Sequence, residues 1–107
     1  MKHIRFFLVV LVLFAGTQSI AQNYQKQYLS AKSFYNEGEY KLAIEAFRPL
    51  AKRSSDNPFA AYASYYYGMS NYYAGFKEEA RTVFLQTKNQ FPNWSRIDDV
   101  NYWLAKL

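Results

Sequence analysis

An all-α architecture of stacked antiparallel helix pairs is predicted by three features of the chain: self-similarity at an offset of 37 residues, aromatic and small residues at helical spacing, and single glycines between the paired segments. At that offset Tyr28 meets Tyr65, Tyr35 meets Tyr72, Gly38 meets Gly75, Ala43 meets Ala80 and Phe47 meets Phe84. Ala31 meets Gly68, which in turn meets Ala105, and Tyr65 meets Tyr102. The register therefore runs into a third copy, and two full units plus the first helix of a third are expected.

A segment of a different kind precedes the repeat. Lys2 and Arg5 flank a start, Phe6 to Ala15 is an unbroken apolar run, and Ser19 and Ala21 bracket Ile20 in a small-x-small pattern. Positive region, short apolar region and cleavage pattern stand in the order of a secretory signal peptide. The run of ten apolar residues is short of the roughly 20 that a spanning helix needs. Cleavage between Ala21 and Gln22 is expected, with residues 1–21 as signal peptide and 22–107 as a helical repeat domain in the periplasm or outside the cell. The chain has no cysteine, so neither a lipid anchor at the processing site nor a disulfide is available, and packing alone must hold the domain.

Tyr24 to Asn36 places Tyr28, Ala31, Phe34 and Tyr35 at helical spacing, and Gly38 supplies a left-handed stop. Glu39 to Arg53 follows, with Tyr40, Ala43, Phe47 and Leu50 on one stripe and Pro49 predicting a kink or an early end. Asn57 and Pro58 read as cap and first position of a helix to Tyr73, which Gly75 terminates. Lys77 to Gln90 is the return helix, with Ala80, Val83, Phe84 and Thr87 facing inward. Pro92 closes the unit, and Ser95 with Asp98 suggests a capping box for a last helix through Leu107. Trp103 and Leu104 on that helix need cover from more chain, from a neighbour, or from folding back on the preceding helix.

The succession of small residue, glycine turn, alanine, aromatic and proline, present as Gly68, Gly75, Ala80, Phe84 and Pro92 and more loosely as Ala31, Gly38, Ala43, Phe47 and Leu50, resembles the tetratricopeptide repeat. The resemblance spans about Tyr24 to Leu107 and implies a right-handed solenoid that acts as a protein-binding scaffold. The period exceeds the usual length of about 34, Ser55 stands where the second unit has Pro92, and Gln27, Ser64 and Asn101 replace a bulky aromatic. Exported members of this kind resemble periplasmic proteins that coordinate envelope assembly.

Catalysis has little to work with. His3 is the single histidine and leaves with the signal, which removes triads and zinc sites built on His or Cys. Glu78 with Glu79 and Asp98 with Asp99 sit in first helical turns, where carboxylates favour the dipole, and no glycine-rich phosphate loop is present. No enzyme, cofactor or metal is expected. Without Lys2 and Arg5 the net charge falls from +5 to +3, with basic residues interspersed among acids, a poor footprint for nucleic acid.

The 11 tyrosines all lie after residue 21, and this array is the candidate binding surface. Tyr62, Tyr65, Met69, Tyr72 and Tyr73 recur on one face of the middle helix. If first helices line a concave surface, as the resemblance implies, Tyr28, Tyr65 and Tyr102 form a ladder across it. The candidate partner-binding residues are thus Tyr28, Tyr62, Tyr65, Met69, Tyr72 and Tyr102, and the expected partner is a protein or peptide. A spacer module of a larger envelope protein and a peptidoglycan or glycan binder are the alternatives.

Overall fold

The computed structural model describes residues 20–107. The expected signal peptide, apart from Ile20 and Ala21, lies outside the described residues, as does His3. Five α-helices and no strand are present among them: α1 (20–36), α2 (Tyr40–Phe47), α3 (Ala60–Tyr73), α4 (Lys77–Gln90) and α5 (Ile97–Lys106). The all-α expectation holds. No helix among the described residues is long and apolar enough to cross a membrane.

The two units turn in the same way, atom for atom. Gly38 has φ 78° and Gly75 φ 93°, in the left-handed region. Around each, the backbone closes the same pair of hydrogen bonds: Gly38 N to Tyr35 O and Glu39 N to Phe34 O in the first unit, Gly75 N to Tyr72 O and Phe76 N to Asn71 O in the second. These bonds satisfy carbonyls that a helix end leaves free.

Pro49 acts as its chemistry requires. The second helix stops at Phe47 and tightens into a 3-10 turn over Arg48–Leu50, with the proline near its start where its missing N–H is tolerated. The expected extension to Arg53 does not occur. Two caps also differ from expectation. Asn57 is buried and braces the linker, its side-chain amide donating to the Leu50 carbonyl at 3.0 Å and its oxygen accepting from the Phe59 amide at 2.9 Å. That Asx turn holds Pro58 outside the helix, and α3 begins two residues later. The Ser95 capping box is absent as well: α5 starts at Ile97 without a side-chain cap, and Arg96 pairs with Asp99 across its first turn at 2.9 Å.

Packing divides into two clusters that follow the repeat. Ala31, Ala43, Phe47, Leu50 and Ala63 form the first, and Tyr65, Met69, Ala80, Phe84 and Val100 the second. Tyr35 and Tyr66 pack against both and join them. Phe47 and Phe84 are fully buried, each contributing about 1.5–3 kcal/mol. A polar link crosses the second unit, where the hydroxyls of Ser64 and Thr87 meet at 2.6 Å inside the core, and Thr87 also donates to the Val83 carbonyl. Ser64 therefore fills the place of a bulky aromatic with a satisfied hydrogen bond. The last helix folds back on the second unit: Val100 is fully buried, and the Trp103 indole donates to the Tyr65 hydroxyl at 3.1 Å. Arg81 of α4 adds a bond to the Leu107 carbonyl at 2.8 Å.

Candidate partner-binding surface

The aromatic residues do not form separate stripes. They make one continuous chain of rings across α1, α3 and α5. It runs from Phe59 to Tyr28 (5.1 Å between centroids), Tyr62 (6.5 Å), Trp94 (5.1 Å) and Tyr65 (5.8 Å). From Tyr65 it continues to Tyr66 (5.2 Å), Tyr35 (5.1 Å), Tyr73 (6.2 Å), Tyr72 (5.3 Å), Trp103 (5.0 Å) and Tyr102 (5.4 Å). Offset and edge-on contacts at these separations lock the rings, so the surface is preorganised and a ligand need order little of it.

The six residues singled out from the sequence fall into three groups. Tyr62 and Tyr102 are accessible, at 37% and 56% exposure. Tyr28 and Tyr72 are half-buried within the chain of rings. Tyr65 and Met69 are core, at 6% and 4%, and do not belong to an accessible face. The reason is the position of α3, which packs against α2 and α4 while Trp103 of α5 caps the Tyr65 hydroxyl. Tyr73, at 46% exposure, adds an accessible ring.

Cations seated on the rings were not legible from the repeat. Lys32 Nζ lies 4.1 Å from the Tyr66 ring centre and 5.6 Å from that of Tyr35. The Arg96 guanidinium sits 5.1 Å over Tyr65 and 5.8 Å from Trp94, and Lys106 Nζ is 5.4 Å from Tyr102 and 5.5 Å from Trp103. The first two copies differ at these places: Lys32 has Met69 as its counterpart, with lysine returning at Lys106 in the third copy, and Phe59 of one unit becomes Arg96 in the next. Phe59 stacks on Tyr28, and Arg96 lies over the equivalent Tyr65, so a ring–ring contact has become a cation–π contact.

Electrostatics follow. Burial pushes the Tyr28 phenol up to about 12, and burial likewise raises Tyr35 and Tyr65. Tyr66 goes the other way. Burial alone would raise it, but Arg96 and Lys32 together hold it below the ordinary tyrosine value. The contact with the Tyr66 hydroxyl also keeps Arg96 firmly protonated. Among the described residues no group of three or more His, Cys, Asp or Glu stands close enough to hold a metal ion, and the acidic pairs serve first turns, with Glu78 bound to Arg81 at 2.6 Å.

Residues 62–93 match a family model for the tetratricopeptide repeat. The match supports a tetratricopeptide repeat in this part of the chain. It covers the unit of α3 and α4 with Gly68, Gly75, Ala80, Phe84 and Pro92, and the unit of α1 and α2 repeats its turn and its buried Ala–Phe pair. No curated protein and no solved structure matches the chain. A tetratricopeptide repeat points to a scaffold for protein–protein interaction.

Proposed function

We propose that the protein is an exported tetratricopeptide scaffold that binds a protein partner of the cell envelope along the aromatic face of α1, α3 and α5, without catalysis. The observation that carries this reading is the continuous chain of rings with Tyr62 and Tyr102 at its open positions. Rigid tyrosines give large contact area at low entropic cost and keep hydroxyls for hydrogen bonds, as hot-spot residues do. Tyr62→Ser together with Tyr102→Ser is expected to abolish capture of the partner from envelope extract, while the melting midpoint changes by the equivalent of about 1 kcal/mol or less. Retained capture by the double variant would show that the partner docks elsewhere.

Export rests on Lys2, Arg5, the apolar run to Ala15, and Ser19 with Ala21. The exported protein is expected to begin at Gln22. Its intact mass decides this, and a mass that includes residues 1–21 would rule out the cleaved form.

A further inference from the structure

We propose that the groove between α2 and α4 is a second binding site, which takes a tryptophan side chain of a partner protein and receives its indole N–H on the side-chain oxygen of Asn71. The site is separate from the chain of rings, to which neither α2 nor α4 contributes a ring.

The groove has a volume of about 500 Å³ and is walled by Leu42 and Ile44 of α2 and by Phe76 at the start of α4, with Asn71 of α3 at its floor. Ile44 is buried at 5% exposure yet belongs to neither core cluster. Leu42 and Phe76 stand at the lips, at 51% and 41% exposure, so apolar surface is open on both sides. Apolar walls around a few placed polar groups are the usual makings of a ligand site, the walls giving affinity and the polar groups orientation.

Asn71 is that polar group. At an offset of 37 its counterpart is Phe34, which packs on the first core cluster, so the second unit places an amide where the first has a ring. Asn71 is 5% exposed. Its amide nitrogen donates to the Tyr67 carbonyl at 2.9 Å, which settles the orientation of the amide, and among the described residues no donor reaches its oxygen. Nor is any buried side-chain oxygen among them sealed off without a partner, so the Asn71 oxygen keeps an opening, and the groove is the opening that Asn71 lines. An amide that serves packing alone would have both of its ends bonded, whereas this one holds an acceptor in reserve at the base of an apolar cleft.

The indole of tryptophan answers these features together. It is the largest apolar side chain, and its N–H donates without bringing an acceptor that the apolar walls would leave unpaired. Phenylalanine would cover Leu42 and Phe76 but leave the Asn71 oxygen unmet. A charged occupant gains nothing from the rim, where Lys41 and Arg48 stand with Glu45 and Glu79, and Arg48 is already bound to Glu45 at 2.7 Å.

The test titrates the isotope-labelled protein with N-acetyltryptophanamide, with its N-methylindole derivative, which lacks the donor, and with N-acetylphenylalaninamide, and follows amide chemical shifts. Shifts are expected at Leu42, Ile44, Asn71 and Phe76, with the methyl derivative and the phenylalanine amide each binding on the order of fivefold more weakly than the tryptophan amide. Leu42→Ser, at an exposed position, should weaken the tryptophan amide severalfold and leave the melting midpoint nearly unchanged. Asn71→Ala should bring the tryptophan amide and its methyl derivative to the same affinity. That comparison is a ratio within one protein and survives a general loss of stability, and if the variant does not fold, the methyl derivative on the parent protein decides. Equal affinity of the two indoles for the parent protein overturns the proposal, as does the absence of shifts at the groove or their confinement to the chain of rings. Tighter binding of N-acetylargininamide also overturns it, in favour of a cation site.

Discussion

Gly68→Leu is expected to lower the melting midpoint by on the order of 10–20 °C or to prevent folding altogether. Two effects oppose each other at this site. Leucine is the better helix former, by roughly 0.8–1 kcal/mol over glycine. Against this, a Cβ at position 68 would lie 2.6 Å from one ring carbon of Phe84 and 2.9 Å from two others. That ring is fully buried and held by Tyr65 at 6.0 Å, so it has no free direction in which to move. Overpacking costs about 1–3 kcal/mol and more when the neighbour is fixed, so the clash wins. Gly68→Ala should already destabilise, although alanine is the best helix former. Adding Phe84→Leu to Gly68→Ala should recover part of the loss, because the smaller side chain vacates the space. A midpoint for Gly68→Ala at or above the parent value would show that α3 and α4 stand further apart than this contact requires.

Position 68 also shows what the sequence made legible. The offset of 37 found Gly68, Gly38, Gly75, Phe47 and Phe84 because those residues solve the same packing problem in each unit, and the hydrogen bonds around the two glycines repeat with them. Helical spacing alone puts Tyr62, Tyr65, Met69 and Tyr72 on one face. It could not say what covers that face. Tyr65 and Met69 are buried because α3 lies between α2 and α4 and because Trp103 returns to it, a long-range fact that no local pattern carries. Asn–Pro is a common helix start and reads as one here, whereas the Asn57 oxygen bonds the Phe59 amide in a turn ahead of α3 and its side-chain amide bonds the carbonyl of Leu50, seven residues earlier. Lys32 and Arg96 were missed for the opposite reason. A search at an offset of 37 finds positions that agree between the first two units, and there Lys32 faces Met69 and Arg96 faces Phe59, so neither stands out even though Lys106 repeats Lys32 in the third copy.

Phe84→Ala is expected to cost about 3–5 kcal/mol, a large part of the 5–15 kcal/mol that domains of this kind have at all. The ring is fully buried among Tyr65, Met69, Ala80 and Val100, so its removal leaves a cavity as well as losing transfer energy. The consequence for α5 separates this site from its counterpart. Val100, Ile97, Trp103 and Leu104 all pack on the cluster that contains Phe84, and none packs on the cluster that contains Phe47. In a repeat array each unit answers mainly to its neighbours. Phe47→Ala removes an equally buried ring but should act first on α1 and α2, leaving the amides around Trp103 protected relative to those around Tyr28. Phe84→Ala should reverse that order, with α5 exchanging fastest. Native-state amide hydrogen exchange on the two variants reads both patterns. If α5 keeps its protection in Phe84→Ala, its hold comes from the Trp103–Tyr65 bond and the Arg81–Leu107 bond rather than from the apolar cluster, and severing those polar contacts would then be what frees it.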